Sequence, residues 1–202
     1  VTTAPSTFTG DAPSSETTHT ATAPELPRPW RPTTIRAANQ AVIAWPQWPS
    51  SALNGLDGQV TKFCANLEAI AVLRVVEKDA RAPTEDERAA LLRFTGWGGI
   101  PASFNLDGYD ATWKQRAQQL LDALQPAEYE SAKASVNNSH YTDPRVIHWI
   151  WAALRRLGFQ GGNILEPSAG VGHFLGCMPA DIAQRSRVTA IELDRVSGRI
   201  LR

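Results

Sequence analysis

One segment in the last third of the chain constrains its fold most, and it reads Asn163-Ile164-Leu165-Glu166-Pro167-Ser168-Ala169-Gly170-Val171-Gly172-His173-Phe174-Leu175. Strand-compatible residues lead to a carboxylate, and a turn follows in which two glycines are separated by one residue. Glycine is needed where the backbone takes a positive φ or approaches a ligand closely. The segment therefore predicts a strand, a ligand-binding loop and a helix in succession.

The carboxylate of Glu166 limits what this loop can bind. Free N–H groups at the start of a helix attract anions such as phosphate. A carboxylate aimed into the same loop would repel a phosphate, so a cationic ligand is expected. The alternative is that Glu166 only braces the loop or caps the helix.

Composition divides the chain into three parts. Residues 1–34 contain 10 Thr and 6 Pro with few large apolar side chains, which predicts a disordered tail because such a segment buries too little surface to offset its ordering entropy. Residues 35–135 are predicted to be a mainly helical region. Residues 136–202 are predicted to begin an α/β domain.

Apolar spacing and capping signals predict the helices of the middle region. A helix of about 20 residues is expected from Val60, and its predicted buried face consists of Val60, Phe63, Cys64, Leu67, Ile70 and Ala71. Thr84 and Glu87 form a capping-box pattern for a helix that runs to about Phe94. Pro126 separates two further helices, predicted over residues 111–124 and 126–134.

A glycine-rich turn, Gly96-Trp97-Gly98-Gly99, follows the second predicted helix. The indole of Trp97 is expected to anchor this turn on the core, as buried aromatic rings usually do. The alternative is that it contacts a base or a cofactor.

Asp143 and Pro144 predict the start of another helix, and Gly158 predicts its end. The predicted buried face of this helix consists of Val146, Ile147, Ile150, Trp151, Leu154 and Leu157. The glycine loop comes next, and a second strand is predicted from Val188 to Leu193. This order of elements is typical of the start of a doubly wound, Rossmann-like parallel sheet.

Ligands of such sheets bind at the carboxyl ends of the strands, where Glu166 and Glu192 are both expected. An acid in the position of Glu192 can accept the hydroxyl groups of a ribose. A third glycine of the dinucleotide fingerprint is missing, since Leu175 takes its place. An adenosyl ligand with an amino-acid end therefore fits the acidic loop better than a nicotinamide or flavin dinucleotide.

The run from Glu166 to Phe174 resembles the S-adenosylmethionine-binding motif of adenine-specific DNA methyltransferases. His140-Tyr141-Thr142 resembles the upstream motif of that family, with Asp143 inserted before Pro144, and Ile191-Glu192-Leu193-Asp194 resembles its ribose-binding motif. The resemblance implies S-adenosyl-L-methionine as cofactor and a methyltransferase sheet as fold. It implies these cofactor-binding residues: Tyr141, Thr142, Glu166, Pro167, Ser168, Gly170, Gly172, Phe174, Glu192 and Asp194.

A second resemblance covers about residues 84–202 and rests on Phe94-Thr95-Gly96-Trp97-Gly98-Gly99, His140-Tyr141-Thr142-Asp143-Pro144, Glu166 and Ser197-Gly198-Arg199. These motifs are similar to the front part of large proteins, encoded by plasmids and integrative elements, that join such a methyltransferase to a helicase. This similarity implies DNA as partner, adenine as target and a C-terminal helicase region in the full-length protein. The family's catalytic segment, Asn or Asp followed by Pro-Pro and an aromatic residue, is absent, since no Pro-Pro pair occurs in the 202 residues. No catalytic residue is therefore assigned, and the chain is expected to be an N-terminal, cofactor-binding fragment.

Two alternatives to a DNA methyltransferase fragment stay open. One is a non-catalytic or decayed S-adenosylmethionine-binding regulatory module. The other is a methyltransferase that acts on RNA or protein.

Charge and cysteine content add weaker expectations. The chain has 20 basic and 20 acidic side chains, but residues 133–202 carry 9 bases and 5 acids, which mildly favours a nucleic-acid partner. Only Cys64 and Cys177 are present, and no His or Cys spacing indicates a metal site. With no apolar run long enough for a bilayer and no secretory signal, we expect a cytoplasmic protein without membrane contact.

Overall fold

The computed structural model describes Trp48 and residues 53–202. They fall in one compact unit, Thr34–Arg202. The predicted disordered tail, residues 1–34, lies outside the described residues. No helix in the described part is both long enough and apolar enough to cross a membrane.

The described part is a mixed structure of helices and one pair of parallel strands. Its elements are α1 (Gln59–Lys78), α2 (Glu85–Leu92), a short 3-10 helix (Pro101–Phe104), α3 (Ala111–Ala123), α4 (Pro126–Ser135), α5 (Pro144–Arg156), β1 (Asn163–Glu166), α6 (His173–Gly176), α7 (Ala180–Gln184), β2 (Arg187–Ala190) and α8 (Arg195–Ile200).

Helix α1 has the predicted length of 20 residues, but it buries a different face. Val60 is 44% exposed, and Cys64 and Ala71 are also exposed, so their predicted burial is wrong. The buried face contains Ala65, Asn66, Ala69 and Leu73 together with the predicted Phe63 and Ile70. Asn66 belongs to this face because its side chain is satisfied by hydrogen bonds with Gly96 O and Thr95 N, and a hydrophobic pattern leaves such a polar core position out.

The predicted caps are confirmed. The Thr84 hydroxyl accepts a hydrogen bond from Glu87 N at 3.3 Å, and Glu87 accepts one from Thr84 N at 2.8 Å, which together close the capping box of α2. Pro126 is the first residue of α4 and separates it from α3. Asp143 accepts from Arg145 N at 2.8 Å at the start of α5.

Helix α5 buries only part of its predicted apolar face. Ile147 and Trp151 are 1% and 2% exposed, whereas Val146, Ile150 and Leu157 are 49%, 38% and 84% exposed and their predicted burial is wrong. The apolar arc of this helix is wider than the surface that packs on it. Leu175, Met178 and Ile182, from α6, α7 and the turn between them, pack with the side that holds Ile147 and Trp151.

Strands β1 and β2 pair in parallel, with Asn163 opposite Arg187 and Glu166 opposite Ala190. The second strand begins one residue earlier and ends three residues earlier than predicted. Its pairing continues into the loops, because Ile191 N donates to Glu166 O at 2.8 Å and Ala169 N donates to Ile191 O at 2.9 Å. These bonds fix the glycine loop against the segment that carries Glu192.

The helical region and the strand region, which consists of residues 136–202, share a hydrophobic cluster. Phe63, Phe94 and Trp97 pack in the same cluster as Val171 of the glycine loop and Val196 of α8. The helical region therefore supports the loops at the ends of the strands.

Candidate functional site

A cavity of about 500 Å³ lies at the carboxyl ends of β1 and β2. Eight of the predicted cofactor-binding residues line it: Tyr141, Thr142, Glu166, Ser168, Gly170, Phe174, Glu192 and Asp194. Three separate sequence segments thus meet around one space. Such a volume is in the range of cavities that hold small ligands.

Pro167 and Gly172 are predicted site residues that do not line the cavity. Gly172 precedes α6 with a φ of 91°, and a Cβ at this position would lie 2.9 Å from Leu201 Cδ1. Gly170 has a φ of 55°, and its Cβ would lie 3.0 Å from the Tyr141 ring. Both glycines are required by backbone conformation and close packing.

Glu192 connects the end of β2 to the glycine loop. Its Oε2 accepts a hydrogen bond from Gly170 N at 2.6 Å, and its Oε1 accepts one from Asp194 N at 2.7 Å. Each carboxylate oxygen has a second lone pair that these bonds leave available. The carboxylate is therefore held in one orientation and can still accept from a ligand.

Asp194 lines the cavity, but its oxygens are engaged within the protein. Oδ1 caps α8 by accepting from Val196 N at 3.1 Å and Ser197 N at 2.8 Å. Oδ2 accepts from the Ser131 hydroxyl of α4 at 3.1 Å. Asp194 thus braces the cavity and adds negative charge to it.

Glu166 is half-buried at the end of β1. Its Oε1 accepts from Ser168 N at 3.3 Å, so it braces the loop, and no ion pair to it is found in the described residues. Its charge is therefore available to a ligand, and bracing and ligand binding are compatible roles.

Tyr141 and His173 are neutral side chains beside these acids. Burial raises the pKa of Tyr141, whose hydroxyl lies 3.2 Å from Ser197 Oγ. Burial lowers the pKa of His173 to about 4, against a smaller opposing effect of its bond to Leu92 O. His173 Nε2 lies 2.8 Å from that carbonyl oxygen, which can only accept, so we assign the proton to Nε2. The two rings pack edge to face with centroids 5.1 Å apart.

The cavity is electrostatically one-sided. Glu166, Glu192 and Asp194 line it, and none of the described lining residues is Lys or Arg. His173 adds no positive charge at neutral pH. The described lining residues therefore favour a cation and disfavour an anion.

The segment from α4 to His140 supplies a polar wall of the cavity, and of its residues only His140 belongs to a motif that the sequence resemblance places at the site. This wall is formed by Ser131, Ser135, Asn138, Ser139 and His140. Its first members lie on α4 and in the turn after it. The spacing of these hydroxyl and amide side chains along the sequence does not distinguish them from residues of an ordinary solvated surface.

Comparison with known proteins gives one distant relationship. The chain is 28% identical over 136 residues to Defense against restriction protein B of Escherichia phage P1. The match covers 67% of this chain and spans about 4% of the relative's length. No family model matches the chain, and no solved structure matches it significantly.

Proposed function

We propose that this chain is the S-adenosylmethionine-binding part of an adenine-specific DNA methyltransferase. The observation that carries the proposal is the acidic cavity at the carboxyl ends of two parallel strands, with no Lys or Arg among its described lining residues. S-Adenosylmethionine carries a sulfonium, an ammonium and a carboxylate group and no phosphate, so its net positive charge is complementary to this cavity.

Named residues fit the parts of this cofactor. Glu192 accepts from the ribose hydroxyls with the lone pairs that Gly170 N and Asp194 N leave available. As the sequence resemblance implies, Glu166 would lie by the cationic methionine portion and Thr142 would hold its carboxylate. When bound, the cofactor supplies an activated methyl group for transfer to a nucleophile.

The proposed wider fold is a doubly wound methyltransferase sheet. The parallel pairing of β1 and β2, with helices before and between them, supports it. Parallel strands need a crossover connection, and helices α6 and α7 provide it here.

DNA is the proposed partner in the full-length protein, with adenine as the methylated base and a helicase region towards the C-terminus. The excess of basic residues in residues 133–202 supports a nucleic-acid partner. The phage relative is named for defense against restriction, and restriction acts on DNA. The adenine specificity and the helicase region rest on the sequence resemblance.

The second candidate is a module that binds S-adenosylmethionine without transferring its methyl group. Assay of the full-length gene product with labelled cofactor on DNA, RNA and protein acceptors separates the candidates. Label on adenine of DNA supports the enzyme, label on RNA or protein supports those substrates, and binding without transfer supports the module.

Calorimetric titration of the chain with S-adenosylmethionine tests the cofactor assignment. We expect saturable binding to the unmodified chain and at least about ten-fold weaker binding to Glu192→Ala, since a hydrogen bond to a charged group contributes about 1.5–3 kcal/mol. Glu130→Ala, at an exposed position on α4, is the matched control and should bind normally. Equal affinities for Glu192→Ala and the unmodified chain would refute the assignment.

A further inference from the structure

The glycine-rich turn around Trp97 lies behind the cavity and does not line it. Trp97 is 1% exposed and packs edge to face against Phe63, Phe94 and Phe104, with ring centroids 6.3, 6.1 and 5.6 Å away. A ring enclosed in this way does not contact a ligand in the cavity. Trp97 can therefore influence the site only through the residues that it contacts.

Asn66 of α1 fixes this turn at two points. Its side chain is fully buried, its Nδ2 donates to Gly96 O at 2.6 Å, and its Oδ1 accepts from Thr95 N at 2.8 Å. A buried amide with both ends bonded to the same segment restricts that segment to one conformation. The turn is thus a rigid element anchored on the longest helix.

The backbone of the turn packs directly against the polar wall of the cavity. A Cβ at Gly98 would lie 1.8 Å from Ser139 O and 3.1 Å from His140 Nδ1. A Cβ at Gly96 would lie 2.3 Å from Ser139 Oγ and 2.8 Å from the Tyr141 ring. Ser139, His140 and Tyr141 all line the cavity.

We propose that Gly96-Trp97-Gly98 is a positioning element that sets the cavity wall at residues 139–141 and thereby the affinity of the site for its ligand. The turn supplies no group to the ligand. The glycines allow its backbone to reach the wall, and the enclosed indole with Asn66 keeps it there. The identity of the ligand used below rests on the proposed function.

Two neighbouring glycines provide a matched test. Gly98 does not have a positive φ, so an alanine there is allowed by the backbone and is opposed by the contacts with Ser139 and His140. Gly99 is the reverse case, because its φ is 78° and its Cβ would meet nothing within 4 Å. Gly98→Ala displaces the wall, whereas Gly99→Ala only strains the turn.

The experiment titrates both variants with S-adenosylmethionine and records amide NMR spectra of the ligand-free chains. We expect Gly98→Ala to lower the affinity about ten-fold or more and to shift the amide signals of residues 139–141 and of Gly170. Gly99→Ala should lower the melting temperature while keeping the affinity and those signals. Unchanged affinity and unchanged wall signals in Gly98→Ala would overturn the proposal, as would equal loss of affinity in both variants.

A second variant covers the case in which Gly98→Ala does not fold. Trp97→Phe keeps the backbone of the turn and loosens its anchor, so binding should weaken and the signals of residues 139–141 should shift. Normal binding by Trp97→Phe would overturn the proposal. Failure of the unmodified chain to bind S-adenosylmethionine refutes the cofactor assignment instead, and the shifts in the ligand-free spectra then still decide whether the turn positions the wall.

Discussion

At the scale of single residues, the site combines a carboxylate held by backbone hydrogen bonds with a buried, neutral histidine. Gly170 N and Asp194 N donate to Glu192 and orient its carboxylate at the cavity. His173 lies nearby and is 4% exposed. In its neutral form His173 packs against the Tyr141 ring. It then adds no positive charge that would compete with a cationic ligand.

The low pKa of His173 predicts a loss of stability in acid. The folded chain has a His173 pKa of about 4, whereas the unfolded chain takes up this proton near the ordinary value of 6.5. Between these values the unfolded state binds more protons, so stability falls as the pH decreases through this window, by about 3 kcal/mol in total. The stabilising contribution of neutral His173 is fully present above about pH 6.5.

Urea unfolding of the chain and of His173→Gln at about pH 7 and about pH 4.5 measures this effect. Glutamine does not titrate and keeps a donor for Leu92 O, so the variant should lose less stability on acidification. Other groups that titrate in this range are common to both proteins. The same pH dependence in both would show that His173 is not responsible.

Residue identities at the site were partly predictable. Glu166, Gly170 and Glu192 follow from strand, turn and strand order, because the carboxyl ends of parallel strands meet at one edge. Ser131 and Ser139 were missed, since their place at the cavity depends on how the α4 region packs against α8 and the Trp97 turn. Packing of that kind leaves no periodic trace in the sequence.

At the scale of secondary-structure elements, helix starts were predicted well because they depend on local contacts. Thr84, Pro126 and Asp143 each act where the sequence places them. Helix faces were predicted less well. The pattern of α5 shows a wide apolar arc, but it does not indicate which part of the arc is covered.

The capping box of α2 predicts a specific stability loss. Thr84→Ala removes the acceptor for Glu87 N and should destabilise the chain by about 1 kcal/mol. Thr112→Ala is the control, because Thr112 lies exposed in the first turn of α3, where Asp110 is the cap. Chemical denaturation that shows equal stability for Thr84→Ala and the unmodified chain would contradict the cap's contribution.

At the scale of the whole molecule, an ion-pair network joins the helical region to the strand region. Glu128 of α4 is 4% exposed and pairs with Arg74 of α1 and Arg199 of α8. Arg199 also pairs with Glu77 at 2.8 Å. Burial alone would raise the pKa of Glu128, but hydrogen bonds from Arg74, Gln125 N and Arg199 more than offset it, and its pKa is lowered.

Neutralising Glu128 should therefore destabilise the chain. Glu128→Gln keeps the shape of the side chain but removes the charge opposite two arginines, and we expect a loss of about 1–3 kcal/mol in urea denaturation. Glu130→Gln, on the exposed side of the same helix, should change stability by less than about 0.5 kcal/mol. Equal effects of the two substitutions would show that the network contributes nothing.

The shared core predicts that the strand region does not fold without α1. Phe63, Ile70 and Leu73 of α1 are buried in the cluster that also holds Val171 and Val196. Deletion of residues 1–80 exposes this cluster, so residues 81–202 should show no cooperative thermal unfolding by circular dichroism. A cooperative transition in that fragment would show that the strand region folds independently.

We propose that the charge of the cavity selects a cationic adenosyl ligand. The dissociation constants of S-adenosylmethionine and ATP, measured by the same calorimetric titration of the chain, test it most directly, because both ligands carry adenosine and differ in charge. We predict that S-adenosylmethionine binds about ten-fold or more tightly than ATP, which the carboxylates of Glu166, Glu192 and Asp194 repel. Equal or tighter binding of ATP would show that the charge of the cavity does not select the ligand.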